Sequence, residues 1–328
     1  MRNAELIERF NGLKALVVGD VMIDAYSKGV VERMSPEAPV PIVNVKSRFC
    51  RLGGAANVAL NLQSLDAHPM VCSVIGDDMN ADQLIRMMEE AGLDTTGLIR
   101  SQSRITTVKH RVFDGERQLL RIDEEYDSDL TDEEQLYLFR LIDQEVSRQA
   151  FDVIVLQDYN KGVLTEWMIH RIIELAQSKR IPVVVDPKKR NFLAYQDVTL
   201  FKPNAKELRE GLGVTAETLV ELKLAAQQLQ QTLRCEYLMV TLSEQGVMML
   251  HDGDFQHLPA LPRNIVDVSG AGDTVLSVAA LCVGAKTFDA ESIARLSNIA
   301  GGLVCEKIGV VPIDKDRFAQ EAALPYQP

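Results

Sequence analysis

The chain has 328 residues, 46% hydrophobic and 25% charged, with a net charge of −12. That length suits one large α/β domain with insertions or two modest domains, and the charge argues against bulk binding to nucleic acid or to an anionic membrane surface. No apolar run reaches the ~18 residues of a membrane span. The N-terminal MRNAELIERFNG has no secretory apolar region, and the five cysteines form no C-x-x-C pair, so reduced thiols in a cytoplasmic protein are expected.

In chain order, KALVVGD (14–20), MVCSVIG (70–76), DVIVLQD (152–158), IPVVVDP (181–187), TLFKPN (199–204) and YLMVTLS (237–243) read as buried strands. Helical patterns fill the gaps at about 54–66, 78–91, 131–149, 164–178, 215–232, 271–285 and 289–306. The alternation predicts an α/β fold with a mainly parallel sheet flanked by helices. Two segments break it: VPIVNVKSRF (40–49) and ITTVKHRVFDGERQLLRID (105–123) have a period of two, and Asp114-Gly115 signals a hairpin. They predict a small β-sheet, either a lid or a dimer contact, with strands within about 26–50 and 103–123. No linker divides the chain, so residues 1–328 read as one domain.

Asp20, Asp158, Asp186, Asn204 and Ser243 end predicted strands. In open parallel sheets ligands bind at the carboxyl ends of strands, although single polar residues also end strands simply because loops are wet. No G-x-x-x-x-G-K-[ST] loop is present. The G-x-G-x-x-A spacing at Gly211, Gly213 and Ala216 follows a charged helical stretch instead of a strand, against a dinucleotide fingerprint.

In DVSGAGDTVLS (267–277), the small residues Gly270, Ala271 and Gly272 precede Asp273 at a helix start. Their N–H groups and the helix dipole suit a cradle for developing negative charge, and an Asp273 kept ionised by the dipole suits a general base. A capped loop is the alternative. RLGGAANVALN (51–61) sets Gly53 and Gly54 before a helix carrying Asn57. KPNAKE (202–207) spaces Asn204 and Glu207 three apart, which suits either ordering a hydrated Mg²⁺ beside phosphates or a capping box.

Taken together, these residues resemble the ribokinase, or PfkB, family of carbohydrate kinases over nearly the whole chain. Within it, VVGDVMIDAY (17–26), RMSPEAPVPIV (33–43), GGAANVALN (53–61), QDYNKGVLT (157–165), VVDPK (184–188), KPNAKE and VTLSEQG (240–246) are most similar to the D-glycero-β-D-manno-heptose 7-phosphate kinases of lipopolysaccharide core synthesis. The resemblance implies a ribokinase-like fold and ATP-dependent phosphorylation of the anomeric hydroxyl to a 1,7-bisphosphate. It makes Asp273 the base and Gly270, Ala271 and Gly272 the anion hole. Asn204, Ala205, Lys206 and Glu207 would lie beside the triphosphate, with Glu207 on Mg²⁺ through water. Thr241, Ser243 and Gly246 would border the nucleotide, and Asn298 and Gly301 the adenine pocket. Asp20, Asp24, Gly53, Gly54 and Asn57 would bind sugar hydroxyls. Because the substrate carries a phosphate, Lys109, Arg111, Arg121, Lys161 and Lys188 are candidate cations, with Asp186 and Lys188 alternatively paired to each other.

Ser277-Val278 and Ser243 depart from residues common in the family, without removing a catalytic group. No H-x-G-H-type nucleotidyltransferase motif is visible before Pro328, so a stand-alone kinase is expected. The resemblance also implies a homodimer through the lid, and leaves a monovalent-cation requirement open. The rival readings are a kinase for another sugar or sugar phosphate, a non-catalytic nucleotide- or sugar-binding module, and, more distantly, a dehydrogenase.

Overall fold

The structure, a computed structural model, describes residues 7–326. In chain order it runs β1 (Lys14–Gly19), β2 (Val21–Met34), β3 (Pro41–Gly54), α1 (Ala55–Ser64), β4 (His68–Gly76), α2 (Met79–Glu90), β5 (Leu98–Ser101), β6 (Val108–Asp114), β7 (Arg117–Glu124), α3 (Asp132–Arg148), β8 (Val153–Gln157), α4 (Glu166–Lys179) and β9 (Val183–Asp186). It continues with β10 (Leu200–Phe201), α5 (Ala205–Leu212), α6 (Leu219–Leu233), β11 (Tyr237–Thr241), β12 (Val247–His251), β13 (Asp254–Leu258), α7 (Ala271–Ala285), α8 (Ala290–Val304) and α9 (Lys315–Ala323).

The large sheet has the order β13-β12-β11-β10-β9-β8-β1-β4-β5. It is parallel from β11 to β5, and β12 and β13 add an antiparallel edge. Side-chain alternation serves both faces. Ala15 and Val17 of β1 join the core under α1, α7 and α8, whereas Leu16 and Val18 join the core under α3, α4 and α6. Helix α7 is buried from Asp273 to Gly284, which explains its nearly continuous apolar sequence. After β1 the chain builds outward through β4 and β5, then returns to place β8 on the other side of β1. This reversal opens a crevice at the carboxyl ends of β1 and β8, where such sheets bind ligands.

The second sheet has the order β3-β2-β6-β7. The expected hairpin is β6–β7, turning at Gly115 with φ 59°. The β2–β3 ribbon starts earlier than expected, at Val21, directly after β1. β2 also pairs in parallel with β6, a long-range contact that no local pattern announces. The predicted strand at 199–204 shrinks to Leu200–Phe201, since Pro203 has no N–H to continue a ladder. β5, α9 and the β12–β13 hairpin lie outside the expected elements, although Asp252-Gly253, with φ of 49° and 83°, supplies that hairpin's two-residue turn.

Candidate active site

Asp273 lies in the first turn of α7 and is 3% exposed. Gly270 precedes that helix at φ 80°, a conformation that favours glycine, and a Cβ there would come within 3.0 Å of Asn57 Nδ2. Asn57 Nδ2 donates to Asp273 Oδ2 at 2.7 Å, and the Tyr159 hydroxyl donates to Oδ1 at 2.8 Å. Asn61 fixes the Asn57 amide by donating to its backbone oxygen (2.9 Å) and to its Oδ1 (3.2 Å). Asn61 is itself held by Thr274 Oγ1 and the Ile313 N–H.

Burial pushes the Asp273 carboxyl up to about 7, and Asp186 adds to the rise, while Asn57, Tyr159 and Lys202 pull it down. Burial thus works against the ionised form that the helix dipole was expected to favour. The glycine turn is also less open than expected, because the Ala271 N–H is spent on Val268 O at 3.2 Å. Among the described residues, the N–H groups of Gly270, Gly272 and Asp273 make no hydrogen bond.

The carboxyl ends of β8, β9 and β10 form the floor. Asp186 Oδ2 pairs with Lys202 Nζ at 3.0 Å, and both residues are buried. A Cβ on Gly272 would lie 3.8 Å from each of those two atoms. Gln157 Nε2 approaches Asp186 Oδ2 at 3.4 Å. Asp186 Oδ1 and Gln157 Oε1 are buried with no hydrogen-bond partner among the described residues. Lys188 pairs with Glu207, not with Asp186, and its Nζ sits 5.4 Å from the Tyr159 ring centroid. Although the Lys188 ammonium is largely buried, Asp186 and Glu207 hold its pKa above the ordinary lysine value. Asp20 was expected to face the sugar. Its two oxygens instead accept the N–H groups of Tyr159 (2.8 Å), Lys161 (3.1 Å) and Val163 (3.2 Å), so it shapes the loop that delivers Tyr159.

On the second sheet, the cross-strand register puts Asp24, Lys109, Arg111, Arg121 and Asp123 on one face. Arg111 pairs with Asp24 and stacks over Tyr26, and a Cβ on Gly53 would collide with Asp24 Oδ2 at 2.3 Å. Lys109 and Lys161 converge on Glu125 at 3.2 and 2.9 Å. Arg121 is bidentate to Asp123 and half exposed. Each proposed phosphate cation therefore already has a carboxylate partner. Gly54 leads into α1 at φ 59°, with Asp20 O where a Cβ would go.

On the far side of the crevice, Asn204 and Glu207 form a full capping box on α5, each side chain bonding the other's backbone N–H. Ala205 opens the helix, while Lys206 points to solvent near Glu210. Thr241 bridges to Asn204 and donates its N–H to Pro203 O, joining the two turns. Ser243 has φ 54°, and Gly246 has φ 89° with Leu258 O 2.0 Å from where a Cβ would stand. Asn298 and Gly301, expected beside the adenine, both have structural contacts. The Asn298 amide is taken by Leu258 O, Pro259 O and the Tyr326 hydroxyl. A Cβ on Gly301 would meet Val275 at 2.6 Å, which marks Gly301 as a packing residue between α7 and α8.

A family model described as pfkB family carbohydrate kinase matches residues 13–316. The chain belongs to that family. Its members are ATP-dependent phosphotransferases acting on sugar hydroxyls, and the fold is ribokinase-like. The chain is 42% identical over 308 residues to the bifunctional protein HldE of Methylobacillus flagellatus, covering 93% of this chain and 62% of that protein. It is 36% identical to HldE of Helicobacter pylori, covering 90% and 63%. It thus spans less than two thirds of these curated relatives. Among solved structures, phosphofructokinase-2 from Escherichia coli in complex with potassium superimposes with a TM-score of 0.78 at 18% identity, covering 95% of this chain and 98% of that one. Arabidopsis thaliana ribokinase complexed with ribose and ATP gives 0.73 at 16%, covering 95% and 99%.

Within this pfkB chain, the fold brings Asp273, Asn57, Asp186 and Lys188 together at the crevice, with Asn204, Glu207 and Thr241 on one flank and Asp24, Lys109, Arg111 and Lys161 on the other. Tyr159, Lys202, Gln157 and Arg104 are site residues that the motif reading did not single out. Each follows or ends a strand, or, like Arg104, is a basic residue in the connection to the lid. Arg104 lines a small cavity with Asp20, Thr106, Tyr126 and Lys161, and its Nη2 donates to Ser128 O at 2.9 Å.

Proposed function

We propose that the chain transfers the γ-phosphoryl group of ATP to the anomeric hydroxyl of D-glycero-D-manno-heptose 7-phosphate, giving the 1,7-bisphosphate for ADP-heptose and lipopolysaccharide core synthesis. One observation carries the chemistry. Asp273 is a buried carboxyl group, pushed up by burial to about 7 and fixed by two donors, at a glycine turn where the N–H groups of Gly272 and Asp273 make no hydrogen bond among the described residues. A base poised near neutrality fits proton removal from a sugar hydroxyl. The anomeric oxygen attacks the γ-phosphorus, its proton passes to Asp273, and the bond to the β–γ bridging oxygen breaks to release ADP. The free N–H groups face the charge that develops on the phosphoryl oxygens.

Asn204, Glu207, Thr241, Ser243 and Gly246 form the nucleotide side. Asp186 Oδ1, buried and without a hydrogen-bond partner among the described residues, would suit the outer shell of a hydrated Mg²⁺, and Glu207 would meet it only through water. When bound, Mg²⁺ supplies neutralisation of the phosphate charge. Asp24, Gly53, Gly54 and Asn57 form the sugar side. The cluster of Lys109, Arg111, Lys161 and Arg104 supports a phosphorylated sugar, whose phosphate would exchange for Glu125 and Asp24 as the anion. The heptose assignment is supported by the RMSPEAPVP and QDYNKG motifs and by 36–42% identity to HldE proteins.

Residues 1–328 act as one kinase unit in this reading. Exposed Leu120 and Ile122, two apart on the edge strand β7, support a homodimer through the lid. The five cysteines are unpaired, which supports a cytoplasmic setting, and no helix among the described residues is long and apolar enough to cross a membrane.

The deciding experiment is ADP release from Mg-ATP, with and without K⁺, using heptose 7-phosphate, fructose 6-phosphate, ribose and no sugar. Turnover confined to the heptose is expected. Turnover only with another sugar would retain the kinase and reject the substrate. ATP binding without turnover on any sugar would favour a binding module.

A further inference from the structure

The amino-terminal edge of the large sheet, opposite the crevice, holds a second cavity of about 430 Å³, large enough for a small organic molecule. Ile181 and Pro182 before β9, Thr199 before β10 and Tyr237 at the start of β11 form one wall. The end of α7 and the start of α8 form the other, with Val283, Phe288 and Ile293. Lys286 caps the end of α7 and Asp273 lies in its first turn, so at 1.5 Å per residue the helix sets them about 20 Å apart. The cavity is thus separate from the crevice.

Two cations line this cavity, and both occupy unusual backbone positions. Arg180 caps α4 at φ 57° and Lys286 caps α7 at φ 56°, left-handed conformations that helix ends ordinarily give to glycine. Arg234 caps α6 in the same way at φ 53°, but its guanidinium pairs with Asp197 at 2.5 Å. Arg180 and Lys286 have no such carboxylate: among the described residues neither side chain makes an ion pair or a hydrogen bond. The helix dipole favours a cation at either cap, but it does not gather two caps at one cavity.

The acidic groups nearby are already engaged. Glu236 takes the Tyr237 hydroxyl, Asp289 caps α8 by accepting the Ser292 N–H at 2.9 Å, and Asp252 lies 3.3 Å from His251 Nε2. The charge left unmatched at the cavity is therefore positive. It stands beside an apolar surface, since Phe288 is half-buried in the lining next to the buried Ile293. Arg9, 5.8 Å from the Phe288 ring centroid, adds to the positive field at that ring.

We propose that this cavity is a second ligand site, which takes a small organic anion with an apolar ring. Its headgroup, a carboxylate, sulfonate or phosphate, meets Arg180 and Lys286, and its ring packs on Phe288 and Ile293. Arg180 supplies a planar fork of donors and Lys286 a point charge, so the pair selects for charge while the wall selects for an apolar body. The site goes beyond the phosphoryl-transfer reading and does not depend on it.

The test uses 8-anilinonaphthalene-1-sulfonate, an aromatic sulfonate that fluoresces when bound, titrated into the protein with saturating Mg-ADP present. Saturable binding at one equivalent is expected to persist under Mg-ADP and to weaken as ionic strength rises. Arg180→Gly and Lys286→Gly should each weaken it by about three- to tenfold, and the double variant by more than about tenfold. Glycine suits both left-handed caps, so these variants should keep the parent's fold and turnover. The single variants carry the same test if the double one is unstable. The uncharged analogue N-phenyl-1-naphthylamine should bind parent and variants within about threefold of each other. Complete displacement of the sulfonate by Mg-ADP, or parent-like binding in the double variant, would overturn the proposal. So would an equal loss of the uncharged analogue, which would leave an apolar hollow whose cations take no part.

Discussion

Asn57 and Asp273 stand 216 residues apart in the chain and meet in a buried hydrogen bond of 2.7 Å. The contact joins the two glycine-bearing motifs into one device. GGAANVA supplies a donor held by Asn61, and GAGD supplies the carboxylate. Helices α1 and α7 pack on the same face of the sheet, so the bond is a direct product of the fold. It points one carboxylate oxygen at Asn57 and the other at Tyr159, and sets the proton affinity of the group between them.

Removing either donor should move the acid limb of the rate profile. Asn57 and Tyr159 both lower the Asp273 pKa from what burial alone would impose. In Tyr159→Phe and Asn57→Ala the carboxylate loses a hydrogen bond to its charged form, so its pKa rises above about 7. The pH dependence of kcat/KM in the parent should rise through a limb near 7, and both variants should shift that limb to higher pH. An unmoved limb with lowered turnover would mean that these residues act on something other than the base.

Asp273→Asn should separate activity from stability. General-base assistance is worth about 10²–10⁴-fold, so turnover should fall by that factor. Stability should change in the opposite sense. A carboxyl whose folded pKa is raised from 3.8 to about 7 favours the fold when protonated, and that contribution is lost as pH rises between those values. The neutral amide avoids this loss. The variant should therefore melt higher than the parent above pH 7, by an amount on the order of a few kcal/mol, with the difference shrinking toward pH 4. Melting curves across that range, beside turnover at pH 8, check both halves.

Much of this was legible before any coordinates. Val- and Ile-rich runs bounded by polar residues marked six strands of the large sheet, and the Asp114-Gly115 signal marked the lid hairpin. Asp273 and Asn57 were visible as residues of two motifs, but their contact was not, because it depends on strand order. Tyr159 and Lys202 illustrate the same limit. Both lie in loops after strand ends, where a polar residue is ordinary, and only the reversal beside β1 brings them to Asp273. Asn298 was named through the family resemblance alone, and its hydrogen bonds to Pro259 and Tyr326 depend on chain segments that meet only in the fold. Glu207 fitted two readings in sequence, and the capping box occupies one carboxylate oxygen while the other meets Lys188.

The lid cations should act on the phosphate of the sugar. Lys109 and Lys161 share Glu125, and Arg111 holds Asp24. Lys109→Met and Arg111→Lys should raise KM for a phosphorylated sugar by at least about tenfold, equivalent to about 1.4 kcal/mol, with much less effect on an unphosphorylated analogue. Equal effects on both sugars would assign these residues to lid architecture. Raising the ionic strength should weaken the phosphorylated substrate in the same direction, because this part of the site remains partly open to solvent.

Ser243 offers a test of the backbone alone. It sits at φ 54°, in the left-handed region that favours glycine, between β11 and Gly246. For a residue with a Cβ that conformation costs roughly 1–2 kcal/mol, partly offset by the greater chain entropy that glycine loses on folding. The Ser243 side chain makes no hydrogen bond among those found in the described residues, so little is forfeited by removing it. Ser243→Gly should thus be neutral to stabilising by about 1 kcal/mol, read as a shift in the denaturant midpoint at unchanged slope. If the turn borders the nucleotide as proposed, the same variant should leave the sugar KM unchanged and alter only the KM for ATP. Destabilisation by more than about 1 kcal/mol would show that the serine has a structural partner the strain argument ignores.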